Sequence, residues 1–215
     1  MTEGTASSVA GLTRTQRKRA NRIATIERTA AKVFAEKGVE RTSFDDIAEL
    51  LELRGSSLFH YFASKNELFL RILHNSAEQV FERLREVRAL GGSPDVVWDA
   101  LVREQVLIQV RDFPEFSPLF FQSSSSSEEL RGEVLRLRRE HALIFEEVAA
   151  QWSELHGTTP AANRVHLGIA FGAMAFLSEW YNPDGALKAD ELADLMAREL
   201  ALGTADSRTA TETVS

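Results

Sequence analysis

Between Thr42 and Lys65 the chain carries hydroxyl, aromatic and basic side chains in close succession: Thr42, Ser43, Arg54, Ser56, Ser57, Phe59, His60, Tyr61 and Lys65. Small hydroxyls beside aromatic rings suit close approach to phosphate oxygens and thymine methyl groups. Ser43 and Lys65 fall at expected helix N-termini, where free backbone N–H groups attract phosphate. The charge follows the same division. Residues 1–65 carry 11 Lys/Arg against 8 Asp/Glu, while residues 66–215 carry 14 against 24, for a total of −7. A basic front on an acidic body suits local contact with a polyanion. A solvated basic helix face is the plainer alternative. For Tyr61 the alternative is an ordinary core aromatic.

Other chemistries lack their residues. Cysteine is absent, which excludes disulfides and thiolate metal sites and fits a reducing cytoplasm. The five histidines are scattered, without zinc-ligand spacing, and no glycine-rich phosphate loop occurs. No nucleophile, base and orienting group form a recognisable set, so the chain reads as no enzyme, with no metal and no cofactor. The first residues lack the apolar core of a secretory signal. The most apolar stretch, 165–177, is too short to span a bilayer and is interrupted by His166. A cytoplasmic protein with no membrane partner is expected.

The elements that must hold these residues read as helices throughout, nine of them, three in front and six behind. Ile23, Ile26, Ala30, Val33 and Phe34 form one apolar stripe over 19–37, ended by Gly38. Ser43 caps a short helix over 44–51, with Phe44, Ile47, Leu50 and Leu51 apolar. A second short helix falls near 55–61, with Leu58 and Phe62 inward and Ser56, Ser57, Phe59 and His60 outward. Ser64 and Glu67 then form a capping box that opens a long helix to residue 89. Further helices are expected over 94–111, 128–155, 160–181 and 189–202, with a short irregular one in 113–122. The five serines 123–127 read as a flexible loop, and 182–185 as a turn. Two short helices behind a longer one pack as a trihelical unit whose last helix is sized for a major groove.

Residues 42–68 resemble the DNA-binding segment of the tetracycline-repressor (TetR) family of transcription regulators. The resemblance rests on Thr42-Ser43, Asp46-Ile47-Ala48, Leu53, the string from Ser57 to Phe62, and Ser64-Lys65-Asn66-Glu67-Leu68. It implies an all-α fold: a three-helix helix-turn-helix domain over 16–64 and a ligand-binding and dimerisation bundle of about six helices over 65–203. Residues 1–15 and 204–215 are then disordered tails. It implies that Thr42, Ser43, Tyr61 and Lys65 hold the DNA backbone, and that residues 55–60, beginning with Gly55, face the groove. Four positions depart from the family pattern. Glu52 replaces the usual small turn residue, and Arg54 replaces Ser or Thr. Phe59 stands where Tyr is commoner, and Gly55 offers no side chain. Arg54 is a candidate for a phosphate or guanine contact, and Arg17-Lys18-Arg19 for an arm toward the minor groove.

The body then supplies a sensor and a dimer. Gly168 and Gly172 are four residues apart on an apolar helix with Ala175 nearby. This small-residue face admits a second helix, although an ordinary buried core helix would look alike. Trp98, Gln105, His141, Phe145 and His166 stand out on apolar stripes as candidate ligand contacts, with satisfied core residues as the alternative. The resemblance implies a homodimeric repressor, released from palindromic operator DNA by a small hydrophobic effector. An activator, or a helical adaptor without DNA binding, is the alternative. Trp180 to Gly185 is similar to family members that respond to acyl-CoA thioesters, which names acyl-CoA as one effector class.

Overall fold

The computed structural model describes residues 13–122 and 127–203; among these every regular element is helical and none is a strand. The all-α class expected from the sequence is the one observed. In chain order the helices are α1 (Arg14–Lys37), α2 (Phe44–Glu49), α3 (Gly55–Leu58), α4 (Lys65–Ala89), α5 (Pro94–Leu107), α6 (Glu128–His156), α7 (Pro160–Ala175), α8 (Leu177–Trp180) and α9 (Ala189–Glu199). Two π-helical turns, Ile108–Asp112 and Pro118–Gln122, lie between α5 and α6. The chain divides into two compact units, Met1–Ile72 and Leu73–Ser215. Helix α4 begins in the first and continues in the second. The expected tails lie mostly outside the described residues, as does most of the serine run.

In the first unit α1 begins at Arg14, five residues before the expected start and inside the stretch read as a tail. Thr13 and Gln16 form a capping box: the Thr13 hydroxyl accepts from Gln16 N (3.2 Å) and Thr13 N donates to the Gln16 amide (2.8 Å). Two orphan donors are thereby satisfied before the apolar stripe starts. That stripe buries Ile26, Ala30, Val33 and Phe34, and Phe34 meets Phe69 edge to face at 5.7 Å. Helix α2 is opened by Ser43, whose hydroxyl accepts from Asp46 N (3.1 Å) while the Asp46 carboxylate takes Ser43 N (2.7 Å). Lys37 bridges the same carboxylate at 2.7 Å. These hydrogen bonds, the one from Lys37 first, hold the Asp46 acid well below the ordinary range.

Helix α2 stops at Glu49, two residues early, and Leu50 is exposed rather than buried. The cause is a closed C-terminal turn. Leu53 N donates to Ala48 O (2.9 Å) and Glu52 N to Glu49 O (3.1 Å), the pair of bonds that defines a Schellman motif. Its left-handed residue is Glu52, at φ 54°.

In the second unit α4 buries Leu73, Ala77, Val80, Phe81 and Leu84. Pro94 takes the first position of α5 behind Ser93, where its missing N–H is no loss. Ser127 caps α6, and Gly157 ends it at φ 67°. The expected helix to residue 181 instead breaks at Phe176, whose φ of −103° and ψ of 11° stop α7 before α8. The turn after α8 is closed by Gly185 N on Asn182 O, and by Asp184 N on the Asn182 side chain, both 3.0 Å.

A left-handed L-residue other than glycine costs about 1–2 kcal/mol, more than the roughly 0.4–1 kcal/mol of unfolded-chain entropy that glycine restores. Glu52→Gly should therefore raise the unfolding free energy by up to about 1 kcal/mol in urea titrations; an unchanged or lower midpoint would show that the turn is unstrained.

Candidate nucleic-acid interface and buried polar cluster

Helix α3 is four residues long, and bonds from His60 N to Ser57 O, Tyr61 N to Leu58 O and Phe62 N to Leu58 O carry its turn on to Phe62. Leu58 and Phe62 are buried, so the opposite side of the turn is outward. Ser56, Phe59 and His60 are exposed, Ser57 and Tyr61 half-exposed. Phe59 is 60% exposed while its ring still meets Phe44 at 4.9 Å. Arg54 is exposed at the N-cap and makes no side-chain cap bond. This is a face of donors, a cation and a bare aromatic ring. Its chemistry suits base edges and backbone phosphates together.

Four expected contact residues have other structural duties. Thr42 is buried and its hydroxyl donates to Gly38 O (2.8 Å). Gly55 is buried and does not face outward. A Cβ there would lie 1.9 Å from Asp45 Oδ1 and 3.3 Å from Asp45 N, so a side chain would displace the Asp45 carboxylate and crowd the α2 backbone where glycine lets α3 start close to α2. Ser43 is exposed, but its hydroxyl is engaged by the capping box. Lys65 spends one donor on Glu40 O (3.1 Å) and has two more. Arg17 and Lys18 are exposed within α1 and do not form an extended arm. The Arg19 guanidinium lies 5.2 Å from the Tyr61 ring centre and donates to His60 O (3.3 Å), which ties α1 to the end of the α3 turn.

The second unit gathers the candidate ligand residues in its core. His141 is enclosed by Phe81, Phe120, Phe121, Phe145 and Phe171, with ring centres 5.3–5.8 Å away. Its Nε2 is 2.8 Å from Gln105 Oε1. An amide oxygen only accepts, so Nε2 carries a proton. Burial pushes the imidazole down to about 3. Trp98 packs on Phe145 at 5.8 Å and on His166 at 5.3 Å. Trp98 Nε1 donates to Leu200 O (2.7 Å), and His166 Nε2 to the same oxygen (3.1 Å). These two side chains hold the C-terminal end of α9.

Sequence reasoning missed Gln109, one turn beyond Gln105, although their four-residue spacing was a readable signal. Gln109 is only 3% exposed and sits in the π-helical turn Ile108–Asp112. Among the described residues neither its Nε2 nor its Oε1 finds a partner, nor does Gln105 Nε2. Each such atom costs about 1–3 kcal/mol. The second π-turn presents Phe120 and Phe121 to His141. Its carbonyls are taken by Arg138, whose Nε donates to Phe120 O (2.6 Å) and Nη2 to Phe121 O (2.7 Å).

On α7, Gly168 and Gly172 are exposed, and a Cβ at either would meet no atom within 4 Å. Val165, Ile169 and Phe176, at helical spacing on the same side, are exposed as well. Ala175 is half-buried, and its carbonyl accepts from the Ser117 hydroxyl (2.9 Å).

The first unit thus has the architecture of a helix-turn-helix DNA-binding domain, with α3 as its second helix. Family comparison agrees: residues 26–72 match the bacterial regulatory proteins of the tetR family, and residues 91–204 match the tetracyclin repressor-like C-terminal domain. The chain belongs to the TetR family of DNA-binding transcription regulators. It is 36% identical over 73 residues to the transcriptional repressor KstR2 of Rhodococcus jostii, a match covering 34% of this chain and 36% of that one. The chain spans about a third of the length of the first curated relatives it matches. Among solved structures, a TetR-family regulator from Bordetella parapertussis has a TM-score of 0.75 at 24% identity, covering 86% of this chain and 97% of that one. AibR, in complex with isovaleryl coenzyme A and operator DNA, has a TM-score of 0.72 at 24% identity, covering 84% and 98%. These likenesses are of fold. No described helix is long and apolar enough to cross a membrane.

The depressed His141 basicity has a sign that can be measured. Below its ordinary value of 6.5 the unfolded chain takes up a proton that the buried ring refuses. Stability attributable to this group is therefore complete above about pH 6.5 and falls as pH drops toward 3, by up to about 1.4 kcal/mol per unit. His141→Leu should lower stability at pH 7 and flatten its dependence between pH 6 and 4 in urea titrations. Parallel pH curves for the two proteins would place the imidazole in water.

Proposed function

We propose that this chain is a ligand-responsive repressor that binds palindromic operator DNA as a homodimer and releases it when a small hydrophobic effector binds. The observation that carries the reading is the outward face of the α3 turn. Arg54, Ser56, Ser57, Phe59 and His60 stand there on a unit held by its own core, in a chain of the TetR family. Phosphate contacts come from Lys65 and Tyr61, from the backbone at Thr42 and Ser43, and from Arg17 and Lys18 on the first turns of α1. Base contacts come from Arg54, Ser56, Phe59 and His60, with Gly55 setting how closely α3 lies on α2. Among ligand residues, Gln105, His141 and Phe145 line the effector site, while Trp98 and His166 support it. Acyl-CoA is one effector class: AibR carries isovaleryl coenzyme A in its solved complex, and Trp180 to Gly185 resembles acyl-CoA-responsive relatives.

Fluorescence anisotropy with duplexes from the DNA flanking its own gene tests this reading. Affinity should fall steeply with salt, each neutralised phosphate adding about −0.9 to the log–log slope. Lys65→Ala should weaken all sequences alike. A salt-independent affinity, or no binding to any flanking duplex, would overturn it.

The dimer follows from two-fold half-sites, and the exposed side of α7 around Gly168, Gly172 and Ala175 is the surface proposed for it. Among the described residues nothing opposes a side chain at Gly172. Gly172→Leu should thus keep helical circular dichroism while overpacking the pairing by about 1–3 kcal/mol, giving a monomer in light scattering that fails to hold operator DNA. A normal Gly172→Leu dimer would move the interface elsewhere.

A further inference from the structure

Within the second unit, the fully buried Gln105–His141 pair sits against a wall of phenyl rings, and Gln109, whose amide is orphaned among the described residues, follows four residues after Gln105. Ordinary cores do not keep such atoms, because buried amides are nearly always hydrogen-bonded. Gln109 is held in place by a π-helical turn, a local irregularity that recurs at functional sites. Its amide offers a donor and an acceptor together, and Gln105 Nε2 adds a second donor.

The charges nearby are already committed. Arg83 bridges Glu104 (2.5 Å) and Asp112 (2.8 Å), and Arg138 holds the Phe120 and Phe121 carbonyls. The one ionisable ring in the wall, His141, stays neutral because it is buried. Both guanidinium groups are engaged by other partners, so an anion brought inside would have to compete for them. An unpaired buried carboxylate is heavily penalised, whereas a neutral group that returns both hydrogen bonds is not.

We propose that the effector presents to Gln105 and Gln109 an uncharged amide, or a group with the same adjacent donor and acceptor, flanked by an apolar or aromatic part that packs on Phe120, Phe145 and Phe171. The inference rests on the ligand-responsive reading above and gives its site a chemical class. Two sources share this chemistry: the pantetheine arm of an acyl thioester, which carries amides, and a free aryl amide.

The test uses the whole purified protein without DNA, in thermal unfolding and titration calorimetry, with butyryl pantetheine, cinnamamide and cinnamate as probes. At least one of the two amides should raise the Tm by on the order of a few degrees and bind at least about tenfold more tightly than cinnamate. A response to butyryl pantetheine alone assigns the thioester source, and a response to cinnamamide alone the aryl amide. Gln109→Met removes an orphaned amide at near-constant volume, so it should raise the Tm of the ligand-free protein and abolish the response to the amide. Cinnamate binding as well as cinnamamide, or neither amide binding, would overturn the proposal, and so would Gln109→Met lowering the Tm or leaving the amide response intact. The wild-type comparison stands even if the variant does not fold. Operator binding is measured separately, so an effector of another class would sink this inference and leave the regulator reading untouched.

Discussion

A helix of four residues has no stability of its own, since nucleation costs more than a single turn returns. The outward face of α3 therefore exists only through the contact between α3 and the helix before it. Leu58 and Phe62 hold it from below, each buried apolar side chain contributing about 1.5–3 kcal/mol. Gly55 sets the approach, because a Cβ there would displace the Asp45 carboxylate and crowd its backbone N. The Arg19 guanidinium on Tyr61 fixes the far end. Every side chain proposed to touch DNA from this helix takes its direction from those three restraints. Gly55, expected to face the groove, is here a packing position, and the side chains left outward beside it are Arg54, Ser56, Phe59 and His60.

Much of this was legible. The Ser43 N-cap, the Ser64-x-x-Glu67 pattern and the Ser93-Pro94 start marked their helices. Ser43 and Ser64 accept from Asp46 N and Glu67 N, the Glu67 carboxylate takes Ala63 N instead of Ser64 N, and Lys65–Ala89 is the span expected. Leu58 and Phe62 point inward as their four-residue spacing requires. The start of α1 was equally readable in Thr13-x-x-Gln16 and was missed because the apolar stripe begins later. Other features had no local signature. Thr42 looks like a phosphate ligand until its hydroxyl turns back to Gly38 O. Glu52 was placed in the turn by the resemblance, but its residue type gives no sign of the left-handed conformation, which the surrounding Schellman bonds impose against its preference. The break at Phe176 and the two π-turns are likewise tertiary, set by what those segments pack upon.

The second unit shows the same competition between local pattern and packing. Trp98, Gln105, His141, Phe145 and His166 all stood out as misfits on apolar stripes, and all lie in its interior or at its edge. Their misfit has two different causes. Trp98 and His166 complete the two lone pairs of the Leu200 carbonyl, which fastens the last helix. Gln105 and His141 satisfy each other only in part, and Gln109 is not satisfied by the described residues at all. A core selected only for stability would hold apolar side chains of the same volume at such positions. Stability surrendered at one place, next to rings that could pack on a guest, is the pattern that separates a binding interior from a filled one.

The exposed side of α7 follows from the shortness of α3. A turn of this size can present only three or four side chains to base edges, and each base pair read is worth about 1–3 kcal/mol. One such turn discriminates too little against the mass of unrelated sequence. Doubling it through a two-fold axis doubles the discriminating energy without enlarging the reading helix. That requires a surface able to pair with itself, and the side of α7 proposed for it exposes Val165, Ile169 and Phe176 as apolar area, with open space at Gly168 and Gly172. Left in water, that area would be a liability to a monomer. In the dimer proposed above it would be the contact that brings two weak readers to bear on one operator.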